Sequence, residues 1–263
     1  MQPKNRVVIL TGATQGIGRA TAYTLADADC KVALVARRPA PLQALAAELT
    51  SLSHSAIAIP ADMGDTAQAR DIVLKTIEAF DKVDVIINNA AIGVRDTIVK
   101  LQEAEARRIM DVNYFGPVAL IQAAVPYLKR NPDGGLIINI SSIVGRRAMP
   151  GIAGYCASKG ALEKMAESLR LELKADNIRV STVYPGVTQT EFNKNSLGSS
   201  LEGRGRVQGV SPERVAQIIL DTMRQEQRDV FVTFFDWTFV TVNLLFPALM
   251  DHLLSRYTRR QIK

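Results

Sequence analysis

Short runs of apolar residues alternate with longer segments of mixed polarity along most of the chain. Each run has the length of a buried strand, and the segments between them space their apolar residues as helices do. Continuous apolar strands separated by helices indicate a parallel sheet that is covered on both faces. The sequence therefore predicts a doubly wound α/β fold of the Rossmann type. Its seven-stranded parallel sheet would bind ligands beyond the carboxyl ends of the strands.

The edges of these runs give the expected boundaries. Strands are predicted at Arg6–Leu10, Lys31–Ala36, Ala56–Pro60, Val83–Asn88, Leu136–Ile140, Arg179–Tyr184 and Asp229–Thr233. Helices are predicted at Gly16–Ala28, Pro39–Leu52, Asp65–Phe80, Glu103–Pro117, Pro117–Arg130 and Gly154–Ala175. A further helix is expected from Ser211-Pro212-Glu213, because Ser is a favoured N-cap and Pro suits the first helical position.

Two segments depart from this alternation. Residues 188–210 are polar and rich in Gly and Ser, which predicts a mobile lid over a site, with an ordinary surface loop as the alternative. The second segment is a tail at 237–263, which follows a single α/β domain expected at 1–236.

The tail is rich in large apolar residues from Trp237 to Leu254, and the basic residues Arg256, Arg259, Arg260 and Lys263 follow them. Polar residues interrupt the apolar stretch, so it makes a poor membrane-spanning helix. A helix that lies in a membrane interface fits its aromatic and basic residues. A helix that caps a substrate pocket or packs against a second subunit fits equally well.

Composition narrows the class of protein. Of the 263 residues, 47% are hydrophobic and 22% are charged, which is the balance of a soluble globular protein. Cys30 and Cys156 lie in apolar segments at no metal-binding spacing, and the first five residues lack the apolar core of a signal peptide. We therefore expect a cytoplasmic protein, with contact to the cytoplasmic membrane face through 237–263 left open.

The net charge is +6, which leaves anionic partners open, but no Lys/Arg run is interleaved with aromatic residues. Nucleic acid is therefore not an expected partner. His54 and His252 are the only histidines and lie far from the motifs below, so no metal site is expected.

A glycine-rich segment, Thr11-Gly12-Ala13-Thr14-Gln15-Gly16-Ile17-Gly18, joins the first strand to the first helix. Glycines at such a turn let backbone N–H groups approach a pyrophosphate at the positive end of the helix. The context of strand, turn and helix near the start of the chain predicts a dinucleotide site.

The second strand ends in Ala36-Arg37-Arg38. An acidic residue at this place reads the free ribose hydroxyl of NAD(H), whereas guanidinium groups suit the 2′-phosphate of NADP(H). The alternative is a solvated pair of charges at the end of a strand. Together with the glycine turn, Arg37 and Arg38 predict NADP(H).

Tyr155 and Lys159 are four residues apart at the start of a long helix and therefore share a face. An ammonium group beside a phenol lowers its pKa, which would make Tyr155 an acid–base catalyst. Ser142, just after the fifth strand, is placed to hold a substrate carbonyl, and Ser141 is its competitor. Asn88 is expected to be structural.

Together these motifs resemble the short-chain dehydrogenase/reductase family. They are Thr-Gly-Ala-Thr-Gln-Gly-Ile-Gly at 11–18, Asn-Asn-Ala-Ala at 88–91, Asn113, Ser142, Tyr155-x-x-x-Lys159 and Pro185-Gly186, and the resemblance covers about residues 5–233. It implies that Tyr155 exchanges the proton on the substrate oxygen and that Lys159 binds the nicotinamide ribose and lowers the pKa of Tyr155. It also implies that Ser142 orients the carbonyl and that Asn113 supports a water linked to Lys159.

The same resemblance implies the rest of the cofactor site. The expected cofactor-binding residues besides Arg37 and Arg38 are Gly12, Thr14, Gln15, Gly16, Ile17, Gly18, Asp62, Met63, Asn89, Ala90, Ala91, Tyr155, Lys159, Pro185, Gly186, Val187, Thr188 and Thr190. Of these, Asp62 would bind the adenine, and Val187, Thr188 and Thr190 the nicotinamide carboxamide.

The expected function is therefore that of an NADP(H)-dependent oxidoreductase that reduces an apolar ketone. The expected ketone is lipid-like, acyl-like or steroid-like. A non-catalytic NADP-binding sensor and a membrane-surface lipid-binding protein are the alternatives. The segment after the last strand lacks the Asp-Gly-Gly signature of many family members, which puts the tetramer interface in doubt. A homodimer through helices 103–130 and 154–175 is expected.

Overall fold

The computed structural model describes residues 1–192, 196–198 and 209–258, with the backbone alone from 256. The strands are β1 (Val7–Thr11), β2 (Lys31–Ala36), β3 (Ala56–Pro60), β4 (Val85–Asn88), β5 (Gly135–Ile140), β6 (Ile178–Tyr184) and β7 (Asp229–Phe231). The helices are α1 (Gly16–Asp27), α2 (Pro39–Ser51), α3 (Ala69–Phe80), α4 (Glu103–Met110), α5 (Gly116–Leu128), α6 (Ile143–Arg146), α7 (Ala153–Glu172), α8 (Pro212–Gln225), α9 (Phe234–Leu245) and α10 (Pro247–Thr258). Short 3-10 turns lie at Thr66–Gln68 and Lys174–Asp176.

The seven strands form one parallel sheet in the order β3-β2-β1-β4-β5-β6-β7. Alternate residues of each strand face opposite sides of the sheet. Leu10 and Leu34 therefore pack into the core on one face, whereas Ile9 and Ile86 pack into the core on the other. This confirms the doubly wound α/β fold. The order reverses direction between β1 and β4, which opens a crevice at their carboxyl ends.

The predicted break at Pro117 is absent, and residues 103–128 form one continuous helical run. A widened π-helical segment, Asp111–Phe115, joins α4 to α5. Pro117 lies in the first turn of α5, where its missing N–H and its ring are tolerated. The last strand ends earlier than Thr233 because Thr233 caps α9 instead: its hydroxyl accepts a hydrogen bond from the Asp236 N–H at 3.0 Å.

The predicted lid falls largely on residues 193–195 and 199–208, which lie outside the described residues. On its described flanks, Thr188 forms a parallel bridge with Val210, and Leu197 forms one with Val94.

The tail forms two helices, and the expected boundary at 236/237 falls inside the first of them. α9 and α10 meet at a bend of 114°. Across the part of the chain that the structure describes, no single helix is long and apolar enough to cross a membrane; only this bent pair meets the criteria in combination. Arg147 joins both helices to α6, donating hydrogen bonds to Asn243 Oδ1 at 3.1 Å and to Asp251 Oδ1 at 2.6 Å.

Candidate active site

The glycine turn folds because its glycines meet neighbours or dihedral angles that other residues avoid. Gly12 and Gly16 have φ values of +69° and +52°, in the left-handed region that favours glycine. A Cβ on Gly18 would overlap the carbonyl oxygen of Gly12, so α1 packs directly against the turn. The turn thus brings backbone close to the start of a helix twelve residues long.

The ends of β1 and β4 are joined beneath this turn. Thr11 Oγ1 accepts hydrogen bonds from the backbone N–H groups of Asn89 and Ala90, both at 3.0 Å. The side-chain amide of Asn89 donates to Thr11 O at 2.9 Å and to Gly12 O at 3.2 Å. These bonds hold the two sides of the crevice at a fixed spacing.

The backbone around the glycine turn leaves room for a dinucleotide at the start of α1. Gln15 lies at the cap position of α1, where the backbone N–H groups of the first turn can bind an anion. A Cβ on Gly16 would lie 2.9 Å from Thr190 Cγ2, and one on Gly12 would lie 2.8 Å from Ala90 Cα. The structure therefore brings Gly12, Gly16, Ala90 and Thr190 together, as the sequence predicts.

The remaining predicted cofactor residues border the same crevice in different ways. Thr14, Ile17 and Ala91 are half-buried, Gln15 is exposed, and Pro185 lies buried at the end of β6. Met63 is the exception, because its side chain packs into the hydrophobic core.

The far end of the crevice carries the predicted adenosine contacts. Arg37 and Arg38 are exposed at the end of β2, next to buried Ala36. The Asp62 carboxylate accepts hydrogen bonds from Gly64 N–H at 2.9 Å and from Arg108 at 2.6 Å. Burial raises the pKa of Asp62, but these bonds, with the charge of Arg37, outweigh it and lower that pKa overall. Arg108, on α4, was not predicted as part of this site, because no local sequence pattern marks its contact with Asp62.

Ser142 and Tyr155 meet at the carboxyl end of β5. Ser142 is the N-cap of α6, and its hydroxyl accepts a hydrogen bond from Val144 N–H at 3.4 Å and donates to Pro185 O at 3.3 Å. The Ser142 hydroxyl is near enough to the Tyr155 hydroxyl to lower the pKa of that phenol. Ser141 points elsewhere, donating to the Lys159 carbonyl at 3.4 Å. The predicted choice of Ser142 over Ser141 therefore matches the geometry.

Lys159 lies beneath Tyr155, with only 2% of its surface exposed. Its Nζ donates to Ile140 O at 2.7 Å and lies 5.9 Å from the centre of the Tyr155 ring. Burial lowers the pKa of Lys159 to about 7.

The pKa of Tyr155 differs from the sequence expectation. Burial raises it well above its usual value, the nearby Cys156 thiol adds to the rise, and the Ser142 hydrogen bond offsets part of it. Burial opposes the effect expected of Lys159, because it lowers the pKa of that ammonium group as well.

Asn113 lies in the π-helical segment and is fully buried. Its side-chain amide donates to Ile92 O and to Ser158 Oγ, both at 2.9 Å, and its oxygen accepts from Ile92 N–H at 2.9 Å. These contacts fix the segment after β4 against α7, so Asn113 positions both walls of the site. π-helical turns recur at functional sites. Asn88 donates to Asn139 at 2.8 Å and is structural, as predicted.

Three further residues support the site and were not predicted. Arg146, at the end of α6, pairs with Glu163 on α7 at 2.6 Å. Its guanidinium also donates to the Tyr184 hydroxyl at 2.7 Å. The pair ties the Ser142 helix to the Tyr155 helix. Its only sequence signal is that Glu163 follows Lys159 by one helical turn. Phe192 contacts Tyr155, with ring centres 5.4 Å apart.

The tail reaches the edge of this site. A Cβ on Gly186 would overlap the carboxylate of Asp236, which is buried in the first turn of α9. Val187 and Thr188 follow Gly186, and Val187 is 52% exposed. The segment predicted to bind the nicotinamide is therefore packed against the start of the tail.

Comparison with known proteins agrees with this geometry. Residues 6–199 match the family model described as short chain dehydrogenase. "Dehydrogenase/reductase SDR family member 7B" of Mus musculus is 33% identical over 270 residues, which cover 99% of this chain and 83% of that protein.

Two solved structures share the fold. A short chain dehydrogenase/reductase from Burkholderia phymatum in complex with NAD superimposes with a TM-score of 0.87 at 20% identity, covering 95% of this chain and 96% of its own. A short chain dehydrogenase from Burkholderia cenocepacia in complex with NADP does so with a TM-score of 0.81 at 25% identity, covering 97% and 99%. With its parallel sheet, glycine turn and Ser142–Tyr155–Lys159 site, this chain belongs to the short-chain dehydrogenase family of oxidoreductases.

Proposed function

We propose that the protein transfers a hydride between NADP(H) and a carbonyl or secondary alcohol, and that it works chiefly as a reductase of apolar ketones. The observation that carries this proposal is the grouping of the Ser142 and Tyr155 hydroxyls with buried Lys159, whose Nζ lies 5.9 Å from the centre of the Tyr155 ring. Two hydroxyls side by side are suited to hold one carbonyl oxygen, one as orienting donor and the other as proton donor.

The chemistry follows from the protonation states of these side chains. The nicotinamide, when bound, supplies or accepts the hydride. Because burial raises the pKa of Tyr155, its phenol keeps its proton at neutral pH and can donate it to the substrate oxygen. This protonated state is the one from which carbonyl reduction starts. Lys159, with a pKa of about 7, gains and loses a proton in the same pH range, which suits it to restore the Tyr155 proton.

Arg37 and Arg38 support NADP(H) as the cofactor. Both side chains are exposed beyond the end of β2, and the buried residue before them is Ala36 rather than an acid. Asp62, the carboxylate opposite, is already paired with Arg108 at 2.6 Å. Positive charge is therefore available at the place where a 2′-phosphate would lie.

The surroundings of Tyr155 support an apolar substrate. Phe192 packs against its ring, Val94 is buried nearby in the bridge to Leu197, and Val187 is exposed after β6. Apolar walls around two polar hydroxyls match a hydrophobic ketone, whose only polar atom is its oxygen.

The test is an absorbance assay of NADPH consumption with 3-oxoacyl, sphingoid and steroid ketones. We expect turnover with at least one class. Tyr155→Phe should lower kcat by about a hundredfold or more while leaving NADPH binding, followed by fluorescence titration, nearly unchanged. Tyr127→Phe, which removes a hydroxyl on α5, is the matched control. Near-normal turnover in Tyr155→Phe would refute the mechanism, and NADPH binding without turnover on any ketone would favour a sensor.

A further inference from the structure

The last two helices leave a row of large apolar side chains in solvent. We call it the apolar band: Phe234, Phe235, Trp237, Leu244, Leu245, Phe246, Leu249 and Leu253, each between 46% and 79% exposed. Contiguous apolar surfaces of this kind are rare on soluble proteins and indicate a binding surface.

The apolar band is ordered rather than scattered. Phe234 and Trp237 stack with ring centres 5.5 Å apart, and Leu244 and Leu245 lie two to three turns further along the same face of α9. Phe246, Leu249 and Leu253 follow at the spacing of one face of α10. Val240 on α9 and Met250 on α10 are buried apolar residues on the inner sides of the two helices.

Polar contacts hold the apolar band beside the active site. Arg147 follows α6, the helix capped by Ser142, and binds Asn243 on α9 and Asp251 on α10. Asp236 packs against Gly186 at the other end of α9. The band therefore lies next to the crevice and faces away from the sheet.

The charge of the residues that follow the apolar band indicates the kind of surface that it binds. After Asp251 the chain carries four basic residues, Arg256, Arg259, Arg260 and Lys263, and no acidic residue. Of these, Arg259, Arg260 and Lys263 follow the last described residue of α10 in the sequence. Aromatic and aliphatic side chains beside basic residues are typical of helices that lie in the interface of an anionic bilayer.

We propose that the apolar band docks the protein on the surface of an anionic lipid bilayer, with the active-site crevice next to the lipid. The geometry of α9 and α10 fits this mode, because two short helices with a 114° bend can lie along a surface. The inference does not depend on the proposed reaction, since docking requires neither cofactor nor turnover.

Trp237 is the only tryptophan of the chain and lies in the apolar band, so its fluorescence reports on docking directly. The full chain is titrated with vesicles of phosphatidylcholine alone and of phosphatidylcholine with phosphatidylglycerol. We expect the emission to shift to shorter wavelength and to be quenched by brominated acyl chains, with tighter binding to the anionic vesicles.

A pair of double variants separates the apolar band from general surface hydrophobicity. Leu244→Ser/Leu245→Ser should weaken vesicle binding by about tenfold or more, because two exposed apolar side chains are removed from the contact. Leu52→Ser/Leu74→Ser removes two exposed leucines, one at the C-cap of α2 and one on α3, and should leave binding unchanged. Circular dichroism confirms that each variant is folded.

Three results would overturn the proposal: no shift of Trp237 emission with either vesicle, equal affinity for neutral and anionic vesicles, or equal loss in both double variants. A concentration-dependent dimer that only Leu244→Ser/Leu245→Ser dissolves, without vesicle binding, would assign the band to a second copy of the chain instead. Ketone reduction in solution by the band variant would show that the proposed reaction stands whether or not docking does.

Discussion

Arg37 and Arg38 are the residues on which the choice of cofactor depends. They stand in solvent at the end of β2, with Ala36 before them and the Asp62–Arg108 pair across the crevice. A guanidinium group recognises a phosphate by charge and by paired hydrogen bonds, whereas a ribose hydroxyl offers it neither charge nor that geometry. The two arginines should therefore strengthen the binding of NADP(H) and have little effect on the binding of NAD(H).

We expect Arg37→Ser/Arg38→Ser to raise the KM for NADPH by about ten- to a hundredfold, because charge-assisted hydrogen bonds to the phosphate are lost. The KM for NADH should change little. Steady-state kinetics with both cofactors measure this, and Arg130→Ser, which removes an exposed arginine just after α5, is the control. Equal effects on both cofactors, or a wild type that prefers NADH, would argue against NADP(H) as the physiological cofactor.

At the scale of elements, the junction of β1 and α1 depends on close contact between backbones. Gly18 leaves no space for a Cβ, since that atom would overlap the Gly12 carbonyl. Gly160 on α7 differs, because a Cβ there would meet only the Gly145 oxygen, at 3.5 Å. The two glycines are both in helices, and only one of them is required by packing.

Gly18→Ala should therefore lower the free energy of unfolding by about 1–3 kcal/mol, the usual cost of overpacking. Gly160→Ala should be neutral or stabilising by up to about 1 kcal/mol, because alanine favours a helix. Urea unfolding followed by circular dichroism compares the two variants with the wild type. If Gly160→Ala proves as destabilising as Gly18→Ala, the difference in available space is not the cause.

Elements with strong local patterns could be predicted from sequence, and contacts between distant segments could not. Apolar runs predict the strands and closely spaced glycines predict the turn, and the structure confirms the sheet. The Arg146–Glu163 and Arg108–Asp62 pairs join residues 17 and 46 positions apart, and no local signal marks them. The raised pKa of Tyr155 was missed for a related reason: spacing shows that Lys159 is near, but not that it is buried.

At the scale of the whole molecule, the free energy of unfolding should depend on pH through the titration of Lys159. Its pKa is about 7 in the folded chain and that of an ordinary lysine, 10.5, when exposed. Between these pH values the unfolded chain holds a proton that the folded chain has released. Raising the pH across this window therefore stabilises the folded state, and lowering it towards neutral removes that gain.

We expect the free energy of unfolding of the wild type to rise between about pH 7 and about pH 9 relative to that of Lys159→Met, by on the order of 1–3 kcal/mol. Urea titrations of both proteins at each pH give this difference, and titrations of groups elsewhere in the chain cancel in the comparison. Parallel stability curves for the two proteins would mean that Lys159 keeps its ordinary pKa in the folded state.

The strand order has a consequence for how the chain assembles. β1, β2 and β3 grow outward on one side from consecutive segments, and β4, β5, β6 and β7 do so on the other. Each half can collapse on contacts that are close in sequence, but pairing β1 with β4 must close a loop of more than seventy residues. The glycine turn follows β1 and Asn89 follows β4, so they lie on opposite sides of this pairing. A dinucleotide bound there would bridge the two halves and stabilise their pairing, as any ligand specific for the native state does.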